Sequence, residues 1–181
     1  MNDSLAPVAV PQVSPDSFKR AAGRWATGVA VITALDVDGM PHGLTMSAVT
    51  SLSLEPMLFL ISVDLRSSTL PAIVGSQRFC INILAEHQAS LCARFASKQA
   101  DKFCGVAFDA SPWGPILPGS LATLGCQMSA DHEGGDHRII IGRVMDIRLE
   151  EQPPLTHYRG SLRSLGAVID PIRTSAQGLN A

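Results

Sequence analysis

Short apolar segments rich in β-branched residues recur along this sequence, and turn residues separate several of them, as at Asp36 to Gly39. Segments of this kind predict β-strands. Many strands with short connections and few helical patterns favour a barrel over a doubly wound parallel sheet. No G-x-G-x-x-G motif opens a helix after the first strand, so a Rossmann site is not indicated. The predicted strands cover residues 29–35, 42–46, 57–63, 79–84, 121–130, 138–149 and 155–162.

A few segments have helical spacing instead. Ser14 is expected to cap a first helix that begins with Pro15 and ends at Gly28. Its apolar positions repeat at i, i+3, i+4 and i+7 from Phe18 to Trp25, which predicts one apolar face. Further helical segments are expected over 68–74, 86–95 and 100–103, and a loop rich in proline and glycine over 109–120.

The length of 181 residues fits one domain with a substantial core. We expect a flexible arm over residues 1–13, the domain over 14–165 and a tail over 166–181. The chain is 46% apolar and 17% charged. Part of the apolar surface is therefore expected to lie against a partner subunit, and a homodimer is the simplest symmetric arrangement.

Charge and hydropathy limit the possible partners and locations. A net charge of −2 at pH 7 provides no basic field, which argues against nucleic-acid binding. No apolar run reaches the roughly 20 residues of a membrane helix, so membrane insertion is not expected. The first residues lack the basic region of a signal peptide, which favours a cytoplasmic protein.

The four cysteines are too far apart to form a C-x-x-C pair. We expect them to be buried thiols that pack as small apolar residues, and a nucleophilic cysteine is the less favoured alternative. They are Cys80, Cys92, Cys104 and Cys126.

The stretch from Gly43 to Pro56 carries five hydroxyl side chains, one acid and no lysine or arginine. An apolar strand follows it, and then Arg-Ser-Ser-Thr at residues 66–69. Small hydroxyls and glycine beside a buried strand let a backbone approach a flat, polar-edged ligand. The hydroxyls after Arg66 offer donors for a phosphate. Together these features favour a bound flavin nucleotide over a hydrolase, although an edge strand and a simple helix cap explain each part alone.

Other polar residues have two interpretations each. Asn82 lies inside an apolar strand, and its amide needs partners that a flavin or neighbouring backbone could provide. Lys102 after Asp101 is compatible with a solvated charge pair. The segment His132 to His137 contains potential metal ligands, but its spacing is not that of H-E-x-x-H, so no metal is expected.

The ordered set of segments resembles the flavin reductase family with an FMN-binding split β-barrel. The resemblance is carried by F-K-R-A-A-G-R-W-A-T-G-V-A-V-I-T from Phe18, G-L-T-M-S-A-V-T-S-L-S-L-E-P from Gly43, F-C-I-N-I-L from Phe79 and G-G-D-H-R-I-I-I-G-R-V from Gly134. More narrowly, the chain resembles the small NAD(P)H:flavin reductase components of two-component flavin-dependent monooxygenases. The fold that this resemblance implies is mainly β, a Greek-key type split barrel with a few flanking helices.

The resemblance also implies roles for individual residues. The strand from Gly43 would lie along the flavin ring, and residues 66–69 would hold phosphate. His137 would contact the nicotinamide dinucleotide, either NADH or NADPH. The implied FMN or FAD site consists of Thr45, Met46, Ser47, Ala48, Thr50, Ser62, Val63, Arg66, Ser67, Ser68, Thr69, Asn82, Phe95, Ala96, Ser97 and Lys102, and the implied nicotinamide site of Asp136, His137, Tyr158 and Arg159.

The implied reaction is direct hydride transfer from the nicotinamide to the flavin, which needs no catalytic side chain. Reduced flavin would then pass to a partner monooxygenase. The alternative is a non-catalytic split barrel that binds or stores flavin. Gly135-Asp136-His137 favours the reductase, because a storage protein has no need of a nicotinamide site.

Overall fold

The fold is described here from a computed structural model, in which residues 12–166 are described. The expected arm over 1–13 and the tail over 166–181 therefore lie almost entirely outside the described residues. The described part is mainly β, as expected, with three α-helices and one short 3-10 turn. The strands are β1 (Thr27–Gly28), β2 (Ala30–Leu35), β3 (Pro41–Met46), β4 (Val49–Ser53), β5 (Leu58–Asp64), β6 (Arg78–Ile83), β7 (Ala122–Gly134), β8 (His137–Leu149), β9 (Leu155–Tyr158) and β10 (Ser161–Ser164).

The larger sheet has seven strands in the order β3-β2-β6-β7-β8-β5-β4, and every pairing is antiparallel. Its two edge strands, β3 and β4, are consecutive in the chain and only Ser47 and Ala48 separate them. The sheet must therefore curl so that its edges meet at this connection. The N–H of Ser62 in β5 donates to the carbonyl of Ala48 at 3.1 Å. This hydrogen bond holds the β3–β4 connection against β5.

The smaller sheet has the strand order β1-β9-β10. The prediction of a single strand over 155–162 is wrong, because a tight turn at Arg159 and Gly160 divides this segment into β9 and β10. Both turn residues have positive φ, +52° and +76°. That backbone matches the twist of a two-residue hairpin. Gly28 of β1 lies opposite Thr156 of β9 and joins this sheet to the start of β2.

The first helix, α1 (Pro15–Ala22), begins as expected, with the Ser14 hydroxyl accepting the N–H of Ser17 at 3.2 Å. It ends at Gly23 and not at Gly28, because Gly28 is paired in β1. No residue of α1 is buried, and Phe18 on this helix is 66% exposed. Trp25, which follows the end of α1, is 78% exposed.

The remaining helices are α2 (Leu70–Ser76) and α3 (Ala89–Ala96), and a 3-10 turn at Glu86–Gln88 leads into α3. The prediction of a helical turn over 100–103 is wrong. The Asp101 carboxylate accepts the N–H groups of Phe103 and Cys104, both at 3.0 Å, so a side chain takes the donors that a helix would use.

The core consists of two apolar clusters. One fills the curled sheet and contains Ile32, Ile61 and Phe79; the other lies between β2 and α3 and contains Phe95 and Phe103. Gly43 permits the second cluster, because a Cβ at this position would lie 2.6 Å from the Phe95 ring.

Three of the four cysteines are buried as expected: Cys80, Cys92 and Cys126. The expectation was wrong for Cys104, which is exposed. Burial raises the pKa of Cys80 and of Cys126 to about 12. These two thiols are therefore protonated at neutral pH and pack as apolar groups.

Candidate functional site

A small cavity lies where the edges of the large sheet meet, and we call it the β3–β4 pocket. It has a volume of about 190 Å³. Its surface is apolar except for three hydroxyl side chains at one rim, a composition that suits a flat ring with polar edges. The lining residues are Gly28, Val29, Ala30, Ser47, Val49, Thr50, Ser51, Phe59 and Ile83.

Backbone groups are open beside this pocket along β5. The pairing of β4 with β5 begins at Val49 opposite Ile61, and Ala48 accepts the N–H of Ser62. Antiparallel hydrogen bonds alternate in direction, so the main-chain groups of Asp64 point to the same side as those of Ser62. Strand β4 does not extend that far, and the Asp64 carbonyl accepts the N–H of Ser67 at 2.9 Å. Among the described residues the N–H of Asp64 is therefore the group at this end of β5 that a ligand can use.

The segment from Arg66 to Thr69 continues directly from this end of β5. Arg66 donates from Nε and Nη2 to the carboxylate of Asp64 at 3.0 and 2.6 Å. This ion pair holds the pKa of Asp64 well below its usual range. The guanidinium is exposed and keeps its remaining N–H donors free for an anion.

The hydroxyls of this segment have different environments. Ser68 is exposed and Ser67 half-buried, and the Ser67 hydroxyl accepts the N–H of Thr69 at 3.2 Å. Thr69 is buried and precedes α2, which begins two residues later than the expected start at Ser68. Arg66, Ser67 and Ser68 are therefore the members of the segment that an anion can reach.

The turn between β7 and β8 lies beside the Arg66 segment. The N–H of Leu65 donates to the carbonyl of Asp136 at 3.1 Å, and Asp64 lies opposite His137 in the sheet. His137 Nδ1 is 2.7 Å from the Asp136 carboxylate. A carboxylate accepts only, so Nδ1 carries the proton and the Nε2 of the neutral ring is an acceptor. The residues implied for phosphate and for the nicotinamide are thus neighbours, which sequence spacing did not reveal.

Several implied flavin residues on β3 and α3 are occupied by contacts within the protein. The Thr45 hydroxyl donates to the carbonyl of Cys92 at 2.7 Å. Lys102 Nζ donates to the carbonyls of Phe95 and Gly43 at 2.9 and 3.2 Å, and partial burial lowers the pKa of Lys102. The structure therefore differs from a solvated pair with Asp101. Two of the three N–H donors of Lys102 are bonded to main chain, and its role near phosphate stays a prediction.

Other members of the implied set have side chains in or near the core. Met46 and Val63 belong to the apolar cluster inside the curled sheet, so only their main-chain groups can reach a ligand. Phe95 is buried against Phe103 with ring centroids 5.0 Å apart. At the end of α3, Ala96 is exposed and the Ser97 hydroxyl donates to the carbonyl of Arg94 at 2.7 Å.

Asn82 is a structural residue, which corrects the expectation that it completes the flavin pocket. Its side chain is fully buried. The amide Nδ2 donates to the carbonyl of Val31 at 3.1 Å and to the Thr33 hydroxyl at 3.2 Å, and Oδ1 accepts the N–H of Leu117 at 2.8 Å. Neighbouring backbone therefore supplies the partners, and Asn82 fastens the 109–120 loop to β2.

Tyr158 and Arg159 lie apart from His137 in the sheet arrangement. They are at the β9–β10 turn of the smaller sheet, whereas Asp136 and His137 are at the β7–β8 turn of the larger one. The N–H of Arg159 donates to the carbonyl of Gly23 just after α1, at 3.0 Å.

The helices within residues 12–166 are all too short to span a membrane. No group of three or more histidine, cysteine, aspartate or glutamate side chains in the same range is arranged to hold a metal ion. Asp131, near the His132 to His137 segment, instead pairs with Arg138, with Oδ1 2.7 Å from Nε.

The sequence matches the family described as a flavin reductase like domain over residues 22–166. This match covers well over half of the 181 residues. The chain therefore belongs to the flavin reductase family, in agreement with the resemblance noted from its motifs.

Two curated relatives and one solved structure illustrate the similarity. The chain is 44% identical over 155 residues to the reductase subunit HsaB of a flavin-dependent monooxygenase from Rhodococcus jostii (strain RHA1), covering 84% of this chain and 79% of the relative. It is 37% identical over 157 residues to the NADH:riboflavin 5'-phosphate oxidoreductase of Streptomyces pristinaespiralis, covering 83% of this chain and 88% of that relative. The structure of the Streptomyces globisporus C-1027 NADH:FAD oxidoreductase SgcE6 in complex with NAD and FAD fragments superposes with a TM-score of 0.81 at 27% identity, covering 89% of this chain and all of the other.

The residues at the β3–β4 pocket fit a flavin. Thr27 Oγ1, one residue before the pocket wall at Gly28, is a buried hydroxyl without a hydrogen-bond partner in the described part of the chain. A buried polar atom of this kind is rare in a protein interior. Together with the hydroxyl rim and the open end of β5, it offers polar groups to the edge of a flat ring.

Proposed function

We propose that the protein is an NAD(P)H:flavin oxidoreductase that reduces FMN or FAD by direct hydride transfer and supplies reduced flavin to a partner monooxygenase. The observation that carries this proposal is the continuity of β5. At Ser62 it adjoins the hydroxyl-rimmed pocket, and after Asp64 it leads to Arg66, with His137 beside it. Family membership and the names of the relatives support the same activity.

In this proposal the flavin ring binds at the β3–β4 pocket and its phosphate at Arg66, Ser67 and Ser68. The N–H groups of Ala48 and Asp64 would bond to the polar edge of the ring, because the carbonyls of both residues already accept N–H groups of the protein. The guanidinium of Arg66 and the two hydroxyls bind the phosphate by charge-assisted hydrogen bonds. Bound flavin supplies the hydride acceptor, which no side chain of the protein can replace.

The protein contributes placement to this reaction. Asp136 fixes the His137 ring, whose Nε2 can accept a hydrogen bond from the carboxamide of a nicotinamide. By holding the two heterocycles together, these residues would convert a bimolecular reaction into one within a complex. No side chain needs to act as a nucleophile or as a general base.

The direct test is a steady-state assay that combines NADH or NADPH with FMN, FAD or riboflavin and follows the loss of nicotinamide absorbance. Oxidation that depends on added flavin is expected. Tight flavin binding with no nicotinamide oxidation would favour the storage alternative and would overturn the proposed reaction.

Replacing His137 by alanine is expected to raise the KM for the nicotinamide about five- to tenfold, the effect of one lost hydrogen bond. The dissociation constant for FMN, measured by fluorescence quenching, should change little. His132→Ala is the matched control, because it removes an exposed histidine from the other strand of the same hairpin. An unchanged KM in the His137 variant would contradict its role.

The finer architecture that we infer is a split β-barrel that dimerises. The curl that brings β3 and β4 together supports the barrel. The exposed apolar side chains of Phe18 on α1 and of Trp25 just after it support a second copy of the chain as the cover. A pocket of about 190 Å³ is below the roughly 300 Å³ at which ligand sites begin, so the second copy would also enlarge the flavin site.

The dimer can be tested at Trp25, the exposed residue just after α1. Trp25→Glu is expected to shift the protein from dimer to monomer in size-exclusion chromatography with light scattering, because a charge would be buried at the interface. Val37→Glu is the control: Val37 is 81% exposed on the β2–β3 turn, away from α1. A monomeric parent protein, or a dimer that both substitutions leave intact, would contradict this interface.

We further place the reaction in the cytoplasm. Four free cysteines are consistent with a reducing compartment. The partner is a flavin-dependent oxygenase, as the name of the Rhodococcus jostii relative indicates for that protein.

A further inference from the structure

Helix α1 departs from the usual amphipathic arrangement. Its basic side chains Lys19 and Arg20 and its apolar Phe18 are all exposed, and the chain contacts the β9–β10 turn at Gly23, directly after the helix. The contact is close: the Arg159 N–H donates to the Gly23 carbonyl at 3.0 Å, and a Cβ on Gly23 would lie 3.8 Å from the Arg159 Cα. Between them is a cavity of about 300 Å³, the basic cavity, lined by Lys19, Arg20, Gly23, Arg24, Arg159 and Gly160.

The basic cavity carries four positive charges and no acidic residue in its lining. Among residues 12–166 none of its four cations forms an ion pair, whereas Arg66 and Arg138 both have aspartate partners. The carbonyl end of α1 offsets part of this charge. Clustered like charges without counter-charges repel one another, and a bound anion relieves that repulsion. The cavity therefore has the electrostatics of an anion site.

The position of the basic cavity relates it to the flavin pocket. Its Arg159 side is at the end of β9, and β9 pairs with β1. Gly28 of β1 lines the β3–β4 pocket, so one small sheet borders both cavities. Arg66, the proposed phosphate ligand, follows β5 of the larger sheet and does not line the basic cavity. An anionic group bound at the basic cavity is therefore a second one, separate from the phosphate nearest the flavin ring.

We propose that the basic cavity binds the adenosine diphosphate portion of a dinucleotide coenzyme, with Lys19, Arg20, Arg24 and Arg159 as ligands of the diphosphate. This inference rests on the proposed reductase function. Nicotinamide dinucleotides and FAD share this chemical group, whereas FMN and riboflavin lack it. A cavity of about 300 Å³ accommodates a diphosphate with part of its nucleoside.

The first experiment measures binding of ADP to the complete protein by isothermal titration calorimetry, without any flavin. The double variant Arg20→Gln with Arg24→Gln is expected to weaken ADP binding about tenfold or more, because two charge-assisted contacts are lost. Binding to the parent protein should also weaken as salt is raised. The control, Arg143→Gln with Arg163→Gln, removes two exposed arginines that do not line the cavity and should bind ADP like the parent.

The second experiment identifies which dinucleotide uses the site. With FMN as the flavin, a higher KM for the nicotinamide in the Arg20/Arg24 variant assigns the cavity to the nicotinamide dinucleotide. A higher KM for FAD, with that for FMN unchanged, assigns it to FAD. Equal ADP affinity in the parent, the cavity variant and the control variant would overturn the inference. Because ADP binding requires no turnover, that result would leave the reductase function standing if flavin-dependent oxidation is observed.

Discussion

Replacing Arg66 by alanine is expected to raise the KM for FMN about tenfold or more and to leave the KM for riboflavin nearly unchanged. Riboflavin has the same ring but no phosphate, so the comparison isolates the phosphate contact. The loss should be larger than for an ordinary exposed arginine, because the Asp64 carboxylate that now pairs with Arg66 at 2.6 Å would be left unpaired beside the phosphate. Both constants come from the same steady-state assay.

Two further variants sharpen this test. Arg66→Lys retains the charge without the planar fork, and is expected to fall between the parent and the alanine variant. Asp64→Asn keeps Arg66 but removes the carboxylate that orients it. The change in the KM for FMN in this variant therefore reports how much the orientation of Arg66 contributes to FMN binding. Equal increases for FMN and riboflavin in the Arg66→Ala variant would show that Arg66 does not bind the phosphate.

Replacing Asn82 by alanine is expected to lower the free energy of unfolding by about 3 kcal/mol. The substitution removes the acceptor of the Leu117 N–H and the donor to the Val31 carbonyl, and leaves buried polar groups without partners. Asn82→Asp should be at least as damaging, because it would place a carboxylate opposite the carbonyl of Val31. Urea unfolding at fixed protein concentration measures both effects.

The control for Asn82 is Gln127→Ala on the neighbouring strand β7. Gln127 Nε2 also donates to a backbone carbonyl, that of Gln77 at 2.8 Å, but this contact is exposed to solvent. Its loss is expected to lower stability by less than about 1 kcal/mol. If the two substitutions had similar effects, the buried amide network would not have the structural importance assigned to it.

Strands with apolar or β-branched cores were predictable from local pattern, and β2, β3, β5, β6, β7 and β8 all occur close to their expected positions. Strand β4 was not predicted separately, because Val49–Ser53 is mostly hydroxyl residues and becomes a strand through pairing with β5. The end of α1 was misplaced for a similar reason. Gly28 is a plausible helix terminator locally, but its pairing with Thr156 determines its conformation.

The candidate site, like the fold, could be predicted only in part from local sequence pattern. Its members on β5 and the β7–β8 turn, such as Ser62, Arg66 and His137, were identified from motifs and have accessible polar groups in the structure. Asn82 and Lys102 came from the same motifs, yet the protein itself occupies their donors. Lys19, Arg20 and Arg24 were not predicted to bind anything. A basic face opposite an apolar one was a possible signal, but its significance depends on Arg159 lying beside it.

The amino-acid sequence alone indicated the class of fold, the family and the candidate site segments, because hydrophobic period and short motifs are properties of neighbouring residues. The tertiary structure decided which polar side chains are already bonded within the protein, that α1 buries no residue, and which cations share a cavity. These outcomes depend on contacts between residues far apart in the chain, as between Asn82 and Val31 or Gly23 and Arg159. Local pattern contains no information about such partners until the sheets are assembled.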